Sequence, residues 1–470
     1  MFRHAPKPRP VCVLLLAVLI TGCSSQPRIT ENTPELASAF SRSGSLQPPN
    51  QWWRAFDDAE LNRLITQALE GNLSLKASYQ RLLQARAAAD RQAAGLFPTL
   101  DANLGADRRE SESSGTDRFS AGLSASYEVD LWGRVQSLSQ AESLRALASE
   151  ADYEAAAISL SGEIASYWFE LVEQQAQRAL AEQQLAVNRN LLTVIETSFS
   201  AGQAGAADVL RQRQLVSSSE EQLTNLAGDI SVLQNQLTVL LGRAPIRDSL
   251  PGKEMLPELP PLPDTGVPGE LVQRRPDVQQ AWRLVQAADR DLAAAISNRF
   301  PRLSLEASVS DEAANASELF DDWLVTLAGN LLLPVIDGGE RRAAVTSAEA
   351  GLQERVQDYR QAVLVAIQEV EDALARERQL QERLTSLERQ IELSDASYQQ
   401  LRRRYLNGAV SYTDVLGALR DQQDLQRTRL TARRQLLNYR VALYRALAGP
   451  IKPPAPESST PTQRSEKDQA

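Results

Sequence analysis

Hydrophobic and polar positions change period several times along this chain, and the whole succession then occurs again. Between Glu60 and Ala94, Leu61, Leu64, Ile65, Ala68 and Leu69 fall at helical spacing. They predict a helix with Asp57 or Asp58 near its N-cap, and it stops at Phe97-Pro98 because the residue before a proline avoids the helical region. The period then drops to two. Leu100, Ala102 and Leu104 alternate with Asp101 and Asn103. Phe119, Ala121, Leu123, Ala125 and Tyr127 alternate with Ser120, Gly122, Ser124, Ser126 and Glu128. Each reads as a strand with one apolar face and one small or polar face, the pattern of a transmembrane β-strand. Arg108–Arg118 between them reads as a hydrophilic loop. A glycine-containing corner at Asp130–Arg134 opens a proline-free helix from Arg134 to Phe199. At ~1.5 Å per residue it extends roughly 100 Å.

The second half copies the first. Phe97-Pro98 returns as Phe300-Pro301, and Gly-x-x-x-x-x-Asp-Val-Leu occurs at Gly202–Leu210 and Gly408–Leu416. The repeat distance of roughly 200 residues is far beyond that of solenoids or propellers. Leu303, Leu305, Ala307 and Val309 alternate with Ser304, Glu306, Ser308 and Ser310. An acidic loop runs from Asp311 to Asp322, and Trp323, Val325 and Leu327 alternate with Leu324, Thr326 and Ala328. A corner at Pro334–Gly339 opens a second proline-free helix from Glu340 to Leu406. Each long helix turns at its glycine and returns as a shorter one, Asp208–Leu241 or Asp414–Ala448, stopped by Gly242…Pro245 or Gly449-Pro450.

Composition narrows the class. The chain has 470 residues, 43% hydrophobic, 23% charged and only 5% aromatic, with a net charge of −10. Such a composition suits long packed helices and is a poor prior for nucleic-acid binding. The single histidine, His4, and both cysteines, Cys12 and Cys23, lie at the N-terminal end, so triad, zinc-site and disulfide chemistry has no residues to work with in the remainder. Residues 1–22 combine a basic start with an apolar run, Val11 to Ile20, too short to span a bilayer, and read as a signal peptide. The run ends Ile20-Thr21-Gly22-Cys23, which resembles the bacterial lipobox and implies acylation of Cys23. Ser24 after it implies sorting to the outer membrane. The expected organisation is a lipidated extended segment over 23–58, a first repeat over 59–245, a proline-rich connector over 246–268, a second repeat over 269–449 and a disordered tail over 450–470.

Four strands cannot close a barrel, and open sheet edges are not tolerated in hydrocarbon. Membrane insertion therefore needs several chains. Three would bring twelve strands and six helical hairpins, and strand counting alone would also permit two chains with eight strands. The expected fold is mainly α with a transmembrane β part, in an internally duplicated chain whose strands close into a barrel only between copies.

The lipobox, Trp52-Trp53-x-x-Phe56, the paired Phe-Pro, Leu131-Trp132-Gly133-Arg134, Arg274-Arg275-Pro276-Asp277-Val278 and both Gly-x₅-Asp-Val-Leu turns together resemble the outer membrane factor (TolC-like) family, in its efflux-lipoprotein branch. The resemblance spans nearly the whole mature chain. It implies an outer-membrane homotrimer, a twelve-stranded β-barrel joined to a long periplasmic α-helical barrel, that receives small toxic compounds or drugs from a periplasmic adaptor and an inner-membrane transporter of the resistance-nodulation-division class. It implies no enzyme activity, cofactor or metal. It also implies that Tyr405 and Asp414, with Asp208, help close a periplasmic mouth, and that the turns at Gly202 and Gly408 meet the adaptor. Asp208 and Asp414 read independently as N-caps of the return helices. The chain departs from the family's type member at Val410 and Gly417, which stand where that protein carries charge, and the first repeat has Phe199 and Arg211 in place of a tyrosine and a second acid. Two other readings remain: the exit channel of a type I protein secretion system, and a periplasmic coiled-coil scaffold without a pore.

Overall fold

The computed structural model describes residues 36–47, 51–111, 114–245, 252–253 and 255–453. The leader with Cys23 and the last residues of the chain lie outside the described residues. What is described falls into two compact units, and each draws on both halves of the chain.

The first unit contains Ala89–Leu144 and Val285–Arg355. At its centre is a four-stranded antiparallel sheet in the order β1-β2-β3-β4. The strands are β1 (Thr99–Ser111), β2 (Ser114–Val129), β3 (Arg302–Ala313) and β4 (Leu324–Leu332). The two hairpins join edge to edge along β2 and β3, from Phe119↔Ala313 to Val129↔Leu303. This register aligns like with like. Leu100, Ala125, Ala307 and Leu327 form one row, and Ala102, Leu123, Val309 and Val325 form the next. Asp101, Ser124 and Ser308 belong to the opposite face. The apolar face is bare: Leu104 is 84% exposed and Leu327 80%. A patch of this kind on a water-soluble surface is an aggregation liability.

Three expectations about the hairpins change. The segment Arg108–Arg118 is mostly strand, because β1 runs to Ser111 and β2 starts at Ser114. Arg108 faces Asp117, with Nε 3.8 Å from its carboxylate, and opposite charges across a ladder favour pairing over a loop. Trp323 stands just outside β4, and Asp311 lies inside β3 rather than in the acidic loop. At the other end of the sheet, Trp132 stacks on Phe300 at 4.9 Å and donates through Nε1 to the Pro301 carbonyl at 2.9 Å. The Phe-Pro of the second half thereby braces the corner of the first.

The second unit takes in the described residues of Pro34–Ala88, Arg145–Leu284 and Val356–Ala470. Its helices are α1 (Ala59–Gly71), α2 (Leu73–Ala94), α3 (Arg134–Ser200), α4 (Ala206–Leu240), α5 (Pro268–Arg274), α6 (Pro276–Ser297), α7 (Glu340–Leu406) and α8 (Tyr412–Leu447), of which α2, α3, α6 and α7 also enter the first unit. The helix expected over Glu60–Ala94 is broken at Asn72, whose backbone is extended. Asn72 serves both pieces: its N–H donates to Ala68 O at 2.8 Å and its Oδ1 accepts from Leu75 N at 2.9 Å. Its Nδ2 donates to Leu240 O at 2.9 Å, the last residue of α4. A Cβ on Gly71 would collide with the Leu241 carbonyl, so this close crossing requires glycine.

Trp52, Trp53 and Phe56 form a short 3₁₀ turn buried against Leu61, Leu64, Trp168, Phe169 and Tyr444. Trp52 stacks on Tyr444 at 6.1 Å and Phe56 meets Phe169 at 5.1 Å. Several chain ends are terminated by buried charge. Arg440 pairs with Glu377, both almost fully buried, and also donates to the carbonyls of Pro260 and Pro261 in the connector. Arg274 donates to Leu447 O at 2.6 Å, and Arg275 bonds Asp277 and Glu369 while reaching Ala446 O. The Arg-Arg-Pro-Asp motif thus opens α6 at Pro276 and closes the last turn of α8, where cations oppose the helix dipole favourably.

Asp58 holds the clasp. It caps α1 through the N–H groups of Glu60 and Leu61 and accepts from Trp168 Nε1 at 3.1 Å and Lys253 Nζ at 2.8 Å. Burial pushes its carboxyl up, but the bonds from Lys253, Trp168 and Leu61 outweigh it and hold the group below its ordinary value. Asp58→Ala is expected to lower unfolding stability by ~2–3 kcal/mol at neutral pH, a lost cap plus an unpartnered indole N–H. Because the folded value is depressed, this contribution is complete above the unfolded value of ~3.9 and disappears as pH falls through the folded one. Denaturant midpoints of both proteins at pH 7 and pH 3 check this: the gap should narrow in acid.

Candidate functional site

The two helical turns carry every residue proposed from sequence for a mouth, and their geometry follows from their glycines. Gly202 and Gly408 both have φ of +71°, the left-handed region open to glycine. Gly202 N–H donates to Phe199 O at 2.9 Å and Gln203 N–H to Ser198 O at 2.8 Å. Gly408 N–H donates to Tyr405 O at 2.8 Å and Ala409 N–H to Arg404 O at 2.9 Å. Each pair satisfies the last free carbonyls of its long helix in the Schellman arrangement.

Asp208 and Asp414 stand at the third residue of their helices, not at the cap position expected from the sequence. The physical reason is visible at Ser411, the true cap of α8, whose Oγ accepts from Asp414 N–H at 3.4 Å. Asp414 reaches back to accept from Ser411 N–H at 3.1 Å, completing a capping box. Asp208 accepts from Gly205 N–H at 3.3 Å in the same way. Its other oxygen takes a bond from Arg211 Nη1 at 3.1 Å, and the same nitrogen reaches Thr413 Oγ1 at 3.1 Å. Arg211 is therefore a direct polar link from the first turn to the second.

Tyr405 and Asp414 are not joined by a hydrogen bond among the described residues. Tyr405 packs instead on Tyr412, with ring centroids 5.6 Å apart. Burial raises the Tyr405 phenol above its ordinary value, and the Asp208 carboxylate adds to the rise. Tyr412 is raised for the same first reason, with Tyr405, Tyr398 and Asp208 adding to it. Both phenols therefore stay protonated through the physiological range and can donate.

Behind the turns lies a buried polar network. Tyr412 Oη donates to Gln212 Oε1, and Gln212 Nε2 donates to Asn188 O at 2.6 Å. Asn188 Nδ2 donates to Ser219 Oγ at 2.9 Å, and its Oδ1 accepts from Gln423 Nε2 at 3.0 Å. The network ties α3, α4 and α8 inside an apolar shell that includes Ile195, Val209, Val415 and Leu419. Sequence reasoning missed Tyr412, Gln212, Asn188 and Gln423. The available signal was spacing: Glu173, Gln177, Gln184 and Asn188 of α3 recur at helical intervals and are all buried.

A family profile described as outer membrane efflux protein matches residues 64–243 and 267–449. The pyoverdine export outer membrane protein OpmQ of Pseudomonas aeruginosa is 35% identical over 93% of this chain and 96% of its own length. The cation efflux system protein CusC of Escherichia coli is 28% identical over 94% of this chain and 98% of its own. The solved structure of the outer-membrane channel OprN superimposes with a TM-score of 0.82 at 29% identity, covering 90% of this chain and 98% of that one.

Tyr412→Phe keeps the ring contacts but leaves Gln212 Oε1 buried without its donor. The expected loss is about 1–2 kcal/mol of stability. Amide exchange around Gln212 and the denaturant midpoint measure it, and Gln212→Ala combined with Tyr412→Phe should cost less than the two single losses together.

Proposed function

Because the chain belongs to the outer membrane efflux protein family, we propose that it works as the outer-membrane exit duct of a tripartite efflux system, closed as a homotrimer. The observation that carries this reading is the sheet: one face is apolar and bare, and the outer edges of β1 and β4 have no strand beside them among the described residues. Hydrocarbon accepts such a face, but it does not accept unpaired N–H and C=O groups. Three copies set β4 against β1 of the next and close a twelve-stranded wall with no free edge. No described helix is long and apolar enough to cross a membrane, so the strands are the spanning elements in this reading.

The duct performs no chemistry of its own. It passes small solutes handed over by a periplasmic adaptor and an inner-membrane transporter of the resistance-nodulation-division class. Relatives named for pyoverdine export and for cation efflux share the same build, which supports placing cargo choice in the pump. Acylation of Cys23 after removal of residues 1–22 anchors the N-terminus in the outer membrane. Gly202 and Gly408 shape the turns that meet the adaptor. Asp208, Asp414 and Tyr405 form the mouth, with Arg211 holding Asp208 in place.

A deletion strain complemented with the intact chain tests the function. Complementable hypersensitivity to antibiotics, dyes, detergents or metals, or retention of an exported siderophore, is expected with normal protein secretion. Loss of a secreted protein at normal susceptibility would overturn the reading in favour of a type I secretion channel. For the mouth, Asp414→Ala and Arg211→Ala are expected to raise single-channel conductance in planar bilayers, and the former also to weaken block by divalent cations. Unchanged conductance and block in correctly assembled variants count against these residues as a gate.

A further inference from the structure

The loop between β3 and β4 does not project from the sheet; it folds back onto the apolar face. Asp311 shares that face with Leu303, Leu305, Ala307 and Val309, by its place in the register opposite Ala121. Yet Asp311 is only 5% exposed, where Leu104, in the adjoining row position on β1, is 84% exposed. What buries it is its own loop, since the Asp311 carboxylate accepts the N–H of Phe320. Phe320 is held at φ of +82°, a backbone region that aromatic residues rarely occupy. The loop has further internal support: Asn315 Nδ2 donates to Glu318 Oε1 at 2.8 Å. Its aromatic side chains are exposed, Phe320 at 70% and Trp323 at 63%.

The level is set by the strand. From Leu303 to Asp311 β3 advances about 26 Å at ~3.3 Å per residue, or roughly 20 Å along the membrane normal for a strand tilted by ~40°. That is close to the ~25 Å height of an apolar barrel band. Every strand end that joins a helix lies at the Leu303 end of the sheet, so Asp311 and the hairpin turns lie at the opposite, outward end. A carboxylate on a lipid-facing surface is tolerated where it is paired and near the boundary of the hydrocarbon. Aromatic rings concentrate at that same boundary.

We propose that residues 314–323 form a lipid-docking collar on the outside of the barrel, in which Asp311 seats the loop and Phe320 and Trp323 enter the boundary between headgroups and acyl chains of the outer leaflet. The collar rests on the barrel reading above and extends it. The occupant is lipid, because the loop is fastened to the bare apolar face through Asp311 and both of its rings are exposed. It adds an anchor for each chain, independent of any acyl group at the N-terminus.

The test is an environment-sensitive fluorophore on the full chain, placed in separate proteins at Phe320→Cys and at Leu327→Cys, the latter in the middle of the apolar face. Each is reconstituted in phosphatidylethanolamine vesicles carrying doxyl-labelled phosphatidylcholine, and aqueous iodide serves as the opposing quencher. The expected result is loss of fluorescence at both sites with doxyl lipid, strongest for shallow doxyl at position 320 and for deep doxyl at 327, with little effect of iodide. Asp311→Ala in the Phe320→Cys protein should switch that site to iodide quenching and leave the Leu327→Cys site unchanged. Iodide quenching at 320 in the otherwise unaltered protein, with lipid quenching at 327, overturns the collar and leaves the barrel standing. Iodide quenching at both sites overturns the barrel reading and the collar with it.

Discussion

A peptide group left without a hydrogen-bond partner in hydrocarbon costs several kcal/mol, and that penalty governs the sheet more than any single contact in it. The strands of one chain form an antiparallel ladder with an edge at β1 and another at β4. Nothing within the sheet can satisfy both edges, so the unit is incomplete as a monomer in a way that side-chain packing cannot repair. The internal duplication answers this requirement. Each half supplies one hairpin, the hairpins join along β2 and β3, and the joined set again ends in edges of the kind that began it. A repeat that reproduces its own edge is a repeat that can be continued by further copies until it closes.

The helical unit solves a different problem, the termination of many helix ends inside a packed interior. Here buried charge and amide groups are used in place of solvent. Asp58 caps α1, Asn72 closes α1 while opening α2, and Arg274 and Arg275 receive the last carbonyls of α8. Arg440 does the same for the connector carbonyls at Pro260 and Pro261. Prolines cannot donate, and a connector rich in them needs donors from elsewhere for its carbonyls. A guanidinium supplies five, and its charge is balanced by Glu377. Replacing one partner of such a pair strands the other in low dielectric, so substitution here is costly to stability.

Much of this was legible in the sequence because periodicity survives without knowledge of partners. The strands, both long helices and both glycine turns follow from period, proline and glycine alone, and the boundaries at Arg134, Glu340 and Leu406 match the observed ends. Two of the misreadings share a cause. The helix break at Asn72 depends on Leu240 and Leu241, which are distant in sequence. The strand character of residues 108–118 depends on Arg108 meeting Asp117 across the ladder. The cap positions slipped because Ser411 was overlooked beside the more conspicuous Asp414. At the turns the sequence pointed to the acids, while polar contacts between the two hairpins are made by Arg211 with Thr413 and by Tyr412 with Gln212, which no local pattern singles out.

The network behind the turns bears on how the tips can move. An apolar interface between helices is nearly indifferent to a small slide, because one methyl contact replaces another. The chain of bonds from Tyr412 through Gln212 and Asn188 to Gln423 is not, since each amide has one orientation in which both its ends are satisfied. A slide by part of a turn would strand several buried polar atoms together, at about 1–3 kcal/mol each. The hairpins therefore have defined resting positions rather than a continuum. The links nearer the surface, Arg211 to Thr413 and Asp414 to Ser411, are exposed and correspondingly weak. In the proposed mouth, opening would break these outer polar links first, while the inner network holds α3, α4 and α8 in register.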